Sequence, residues 1–215
     1  VIGLQWNKRR GSDDDIALLD RLNYLPILEK CSVENVLGYS PFSRHNISGH
    51  SFTTNQRWLR YIYFCGVIDS YGLLDFPTST WIDVGPFYGG LQYVVNRFYG
   101  RQIKNILVDF EHQLCRSFAI LSYHFPNHRH YLYRGENICI DIYSGLEQAL
   151  SGVTGACFVY CPTSHFNNLD SCSELKVDLF TNFFSLMFTN FFIYWFFNFF
   201  FSFFFDYFFF IKCFL

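Results

Sequence analysis

The sequence predicts an α/β fold built on a parallel sheet, and three observations carry that prediction. Short apolar runs of strand length alternate with stretches of helical spacing. The first run, Trp81-Ile-Asp-Val, enters a glycine turn, Gly85-Pro-Phe-Tyr-Gly89-Gly90. The second run, Ile106-Leu-Val-Asp109, ends in an acid.

The elements follow in order. Ser12-Asp-Asp-Asp15 is a helix start of the S-x-x-D kind, leading into Ile16, Leu18, Leu19 and Leu22, and Pro26 limits that helix. Residues 31–52 carry Gly38, Pro41, Ser43, Asn46 and Gly49 and read as loop. Thr53 or Thr54 caps a helix running to about Ser70. Its Trp58, Tyr61, Ile62 and Cys65 recur at helical spacing and face the core. Arg57 and Arg60 fall on another face, where solvation is the ordinary expectation and substrate contact the alternative. Strand one covers 80–84 and is followed by a helix over Gly90–Tyr99. Strand two covers 105–109 and is followed by a helix over Glu111–His124, stopped by Pro126-Asn127. Residues 130–133 and 157–160 are further strands, the latter stopped by Pro162, and 177–182 is the last. The span 134–155 shows no clear period; 144–150 reads as a helix turn.

The glycine turn admits three readings. A dinucleotide fingerprint, G-x-G-x-x-G, needs its second glycine at position 87, which is Phe87. A phosphate-cradling loop needs Lys and Ser or Thr after Gly90, where Leu91 and Gln92 stand. The third is D-x-G-x-x-x-G-G, the looser loop that holds S-adenosylmethionine, a cofactor without phosphate. It fits best: Asp83, Gly85, Phe87, Gly89 and Gly90 form the loop. Asp109, 20 residues after Gly89, stands where an acid takes ribose hydroxyls. The plainer alternative is a tight strand-to-helix turn with an acid serving as a helix cap.

The run from Asp83 through Leu91, then Asn105-Ile-Leu-Val-Asp109, then Leu121-Ser-Tyr-His-Phe-Pro-Asn127, resembles the sugar O-methyltransferase family. That family is a branch of the Rossmann-like, class I S-adenosylmethionine-dependent methyltransferases. Lys176-Val-Asp-Leu-Phe-Thr-Asn-Phe-Phe-Ser-Leu186 is similar to the family's fourth strand, and Asn55-Gln-Arg-Trp-Leu-Arg-Tyr-Ile-Tyr-Phe64 to the helix before its first. The likeness covers about residues 45 to 187. It implies a Rossmann-like parallel sheet and methyl transfer from S-adenosylmethionine to a hydroxyl, of a sugar or other small molecule or glycan. It also implies Asp83, Gly85, Gly89 and Asp109 as cofactor contacts, with Asn182 near the transferring methyl. The family continues with Gly-Glu-Met where this chain has Met187-Phe188-Thr189. The expected organisation is an N-terminal helical, substrate-side segment over 1–75, an incomplete cofactor-binding domain over 76–187, and an apolar tail over 188–215.

Composition narrows the partners. A net charge of −2 gives no basic footprint for nucleic acid, and Asp13-Asp14-Asp15 offsets Lys8-Arg9-Arg10. The chain opens on Val1 and its sole methionine is Met187, so it reads as a fragment. Eight cysteines are spread without a C-x-x-C pair. Cys157 and Cys161 sit at strand spacing as buried thiols, and a reducing, cytoplasmic compartment is expected. Asn46-Ile-Ser48 matches a glycosylation sequon, which has no meaning in that compartment.

Phenylalanine changes abruptly along the chain: 18 of 29 lie from Phe180 onward. Residues 191–215 are long enough to cross a bilayer as a helix, which makes a membrane anchor one reading. Against it, the segment is nearly all Phe with Asn198 and Asp206 inside, and a central acid costs about 2.5–3.5 kcal/mol on insertion scales. The reading preferred here is that the tail is translated thymine-rich non-coding sequence, beginning inside a family motif.

His124, His128 and His130 suggest a metal, but they cross a helix end and a loop without a carboxylate, and neutral surface or capping histidines are expected. His165 follows Pro162-Thr163-Ser164 at a strand end, the side where open α/β sheets bind ligands. It is the candidate general base for the accepting hydroxyl, with a plain loop histidine as the alternative. Such a site aligns donor and acceptor and excludes water. The rival functions are a non-catalytic interaction module and a tail-anchored membrane protein.

Overall fold

The structure, a computed structural model, describes residues 12–31, 43–47, 50–74, 78–100, 102–169, 172 and 174–182. The Phe-rich tail, the Lys8-Arg9-Arg10 cluster, Ser48 of the sequon and the 75/76 boundary lie outside them.

Helix α1 (Ser12–Arg21) begins at the S-x-x-D signal and buries Ile16, Leu18 and Leu19. Asn23, at φ 59°, ends it. Pro26 then falls in the first turn of a second helix, α2 (Leu25–Cys31), where a missing N–H and a fixed φ are tolerated. It therefore opens a helix as well as limiting one.

Residues 43–54 are not loop throughout. β1 (Ser43–Ile47) and β2 (His50–Thr54) pair as an antiparallel hairpin. Both strands are mostly polar, so no apolar alternation marked them. The cap of α3 (Gln56–Ser70) is Asn55, not Thr53 or Thr54: its side chain accepts the Trp58 N–H at 2.8 Å. Trp58, Tyr61, Ile62 and Cys65 are buried as their spacing predicts.

The central units match their expected bounds within three residues. β3 (Thr78–Val84) leads to α4 (Gly90–Tyr99), β4 (Gln102–Asp109) and α5 (Glu111–His124). β5 (Arg129–Gly135) turns through Glu136 and Asn137, both with positive φ, into β6 (Ile138–Asp141) and then β7 (Glu147–Ala149). The helix turn expected over 144–150 is thus a strand in its second half, paired to β6 through Cys139↔Gln148. Its three-residue length hid it. β8 (Cys157–Pro162) and β9 (Leu179–Thr181) complete the sheet.

The order is β7-β6-β5-β8-β4-β3-β9; β5, β8, β4, β3 and β9 are parallel, β6 pairs antiparallel to β5, and β7 antiparallel to β6. Helices α1–α5 pack on one face, over Trp81, Leu107, Phe158 and Leu179. The opposite face, with Ile82, Ile106 and Val159, is covered in part by Phe166 and Leu169 from a 3-10 segment, Thr163–Leu169. β8 is buried along its whole length, which explains its continuous apolar run. Cys157 and Cys161 share its second face as free thiols, and burial pushes both well above an ordinary thiol. Among the described residues no helix is long and apolar enough to cross a membrane.

Candidate functional site

The carboxyl ends of β3 and β4 stand side by side because Val84 pairs with Val108. Just beyond, the Gly85 N–H donates to the Val108 carbonyl at 2.8 Å, which turns the chain over the tip of β4. The loop then passes through Phe87, whose φ of 62° lies in the left-handed region that a bulky residue rarely enters. Two bonds hold it there. Its N–H donates to Asp109 Oδ2 at 3.1 Å, and its carbonyl accepts from Ser117 Oγ of α5 at 3.0 Å.

Gly89 and Gly90 are required by close approach. A Cβ on Gly89, at φ 80°, would lie 2.8 Å from Leu121 Cδ1, and one on Gly90 would lie 2.2 Å from Tyr61 Cε2. The pair lets the loop press against α5 and α3 before α4 starts.

Asp109 is the acid at the tip of β4. Oδ2 accepts from Phe87, and Oδ1 accepts from the Phe110 N–H at 2.8 Å. Each oxygen keeps a further lone pair, so the carboxylate retains the capacity to accept from a diol. Burial raises its carboxyl above the ordinary range, and the two backbone donors pull it back. Phe110, next in sequence, is 55% exposed and stacks on His112 with ring centroids 6.0 Å apart.

Asp83 sits deeper. Oδ2 accepts from Gln92 Nε2 at 2.6 Å and Oδ1 from Thr181 Oγ1 at 2.6 Å; Thr181 Oγ1 in turn accepts from Trp81 Nε1 at 2.8 Å. This buried network ties β3 to α4 and β9, and burial pushes the Asp83 carboxyl up to about 7. Asn182 directly follows β9. Since Asp83 pairs with Thr181, Asn182 stands level with Val84 at the same end of the sheet.

Asp83, Gly85, Phe87, Gly89, Gly90, Asp109 and Asn182 therefore gather at one end of β4, β3 and β9. His165 packs elsewhere. It lies in the 3-10 segment after β8, its ring edge-on to Tyr133 of β5 at 6.5 Å, and its Nδ1 is 3.3 Å from where a Gly135 Cβ would stand. β5 is separated from β4 by β8, and none of these contacts reaches the turn.

Sequence reasoning did not pick out Gln92, Thr181 or Phe110. Gln92 is the third residue of α4 and faces back toward β3, a position legible only once the helix start is fixed. Phe110 had a signal, being a large ring directly after the strand-end acid.

The three clustered histidines lie in packed surroundings, and the fully buried one is neither a surface nor a capping residue. His130 is fully buried; its Nδ1 is 2.9 Å from the Tyr160 hydroxyl, and burial pushes it down to about 4. His124 and His128 are shifted down by burial as well. Among the described residues no three His, Cys, Asp or Glu side chains are grouped so as to hold a metal ion.

No protein-family model, curated protein or solved structure matches this chain.

Proposed function

We propose that this chain has a Rossmann-like fold and binds S-adenosylmethionine where β3 and β4 end, for transfer of its methyl group to a hydroxyl of a sugar or related small molecule or glycan. The observation that carries this reading is the position of Asp109: at a strand tip, in hydrogen-bond contact with the glycine loop of the neighbouring strand, and with lone pairs left for a ribose diol.

Topology supports it. The chain leaves β3 toward β4 on one side and later comes to β9 on the other side of β3. Open α/β sheets bind ligands at such a reversal, outside the carboxyl ends of the strands. With the parallel strands numbered in chain order the sheet reads 3-4-2-1-5, so the 2-1 pair with a later strand on the far side of strand 1 follows the Rossmann-like pattern, while β8 lies between β5 and β4.

The loop fits this cofactor better than a dinucleotide or a P-loop nucleotide, whose motifs Phe87, Leu91 and Gln92 interrupt. No lysine or hydroxyl follows Gly90 to neutralise phosphate, while the ligand's adenosine part needs a diol acceptor and a flat apolar surface. Asp109 offers the first and the exposed Phe110 ring the second. When bound, the cofactor supplies an electrophilic methyl group on sulfur. The protein's part is to hold the adenosine at Asp109, orient the rest along the loop, and bring the acceptor to the side of Asn182.

Isothermal titration of the full chain with S-adenosylmethionine and S-adenosylhomocysteine tests the reading. Micromolar binding that is weakened in Asp109→Asn supports it; heat traces indistinguishable from buffer for both ligands remove it. A binding module without catalysis is the second reading, and the placement of His165 against Tyr133 favours it. Methylation of any polyol or glycan by the purified chain would exclude that alternative.

A further inference from the structure

Helix α3 packs against α4, and its first two turns meet the residues that follow β3. Tyr61 backs onto Gly90, and Arg57 Nη1 donates to the Tyr88 hydroxyl at 3.1 Å. The guanidinium carbon of Arg57 lies 5.2 Å from the centre of the Phe87 ring and 5.5 Å from that of Tyr88. Phe87 is the residue whose N–H donates to Asp109. A cation and an acid therefore flank one residue, the first on its ring and the second on its backbone.

Arg57 is exposed, and among the described residues it makes no ion pair. Of its five N–H donors, one is taken by Tyr88. Two rings and a hydroxyl fix the guanidinium in place, so little side-chain freedom remains to be lost when a ligand engages it. A planar fork with open donors is the group that takes a carboxylate with two parallel bonds. The N-terminus of α3 adds a positive field of the same sign at the same place.

We infer that Arg57 binds a carboxylate of the ligand held at the glycine turn. The inference rests on the cofactor reading above and deepens it: Asp109 receives the diol on the backbone side of Phe87, and Arg57 receives the acid group on its ring side. Two molecules bring a carboxylate to such a site, namely the amino-acid end of the cofactor and an acidic sugar acceptor such as a uronic acid. The rival is that Arg57 only braces Phe87 and Tyr88.

The test titrates full chains of wild type, Arg57→Gln and Arg57→Lys with three probes: S-adenosylhomocysteine, 5′-methylthioadenosine, which lacks the amino-acid end, and glucuronate in the presence of S-adenosylhomocysteine. If the cofactor is the source, Arg57→Gln weakens S-adenosylhomocysteine by about tenfold to a hundredfold and leaves methylthioadenosine within twofold. If the acceptor is the source, both adenosyl ligands keep their affinity and glucuronate binding is lost. Arg57→Lys keeps charge and stem, and a partial loss in the same probe confirms the fork. Equal weakening of both adenosyl ligands, or no change in any probe, overturns the role of Arg57 while leaving the cofactor reading intact. A wild-type chain that binds neither adenosyl ligand overturns both.

Discussion

The backbone N–H of Phe87 donates to Asp109 Oδ2 at 3.1 Å, so the acid at the tip of β4 holds the loop that leaves β3. Its other oxygen accepts from Phe110. Asp109 thus has a structural role before any ligand arrives. Asp109→Ala strips the acceptor from two part-buried N–H groups and should destabilise the fold by about 1–3 kcal/mol in urea unfolding. Asp109→Asn keeps one acceptor oxygen and should lose less. Both should weaken S-adenosylhomocysteine at least about tenfold. An unchanged urea midpoint in Asp109→Ala would mean that the loop keeps its shape without the acid.

Gly90 gives a test of the turn that needs no ligand. A methyl group there would lie 2.2 Å from the Tyr61 ring, which is buried among Trp58 and Tyr88 and has little room to move. Gly90→Ala should therefore destabilise by about 1–3 kcal/mol, despite the better helix propensity of alanine. In a Tyr61→Leu background the added loss should shrink, because the crowding atoms are gone. Additive losses across the double-mutant cycle would show that the two positions do not meet.

Much of this arrangement was readable in the chain, and the exceptions have physical causes. β3, α4 and β4 were found because each carries a buried apolar run, and α5 because its buried Leu114, Ile120 and Leu121 recur at helical spacing before Pro126. The turn between Gly85 and Gly90 and the strand end at Asp109 were legible because glycine spacing and a strand-end acid leave a local signature. The β1–β2 hairpin was missed because its residues are polar, and β7 because three residues carry no period. The cap fell on Asn55, one residue past two equally acceptable threonines, and only backbone geometry decides among the three. Arg57 was set down as a solvated charge because its two ring partners are thirty residues away, across a packing contact that sequence spacing does not reveal.

His165 and the turn should respond independently to mutation. Its contacts are with Tyr133 and the strand end at Gly135, two sheet positions from β4. His165→Ala should lower stability by about 0.5–1.5 kcal/mol through lost contact with the Tyr133 ring. It should leave the affinity for S-adenosylhomocysteine within twofold. A tenfold loss of affinity would show that the 3-10 segment reaches the ligand and would restore His165 as a site residue.

Asp83 and His130 make opposing contributions to the pH dependence of stability. Burial moves each toward its neutral form. The Asp83 carboxyl is pushed up to about 7, with the Thr181 and Gln92 donors acting against burial. A folded value above the unfolded one, about 3.9, gives a contribution that is complete below that pH and is lost as pH rises through about 7. His130 is pushed down to about 4, with the Phe125 carbonyl acting against burial. There the unfolded chain takes up the proton first, near 6.5, so the contribution is complete above that pH and is lost as pH falls toward 4. His124 and His128 are lowered too and act in the same direction as His130. Between about pH 4.5 and 6.5 the Asp83 and histidine slopes oppose each other. Asp83→Asn should remove the first, leaving a chain whose urea midpoint drops on acidification more steeply than that of wild type. His130→Gln should remove most of the second and tilt the profile the other way. Profiles tilted in the same direction in both variants would show that the two buried groups do not titrate as their surroundings require.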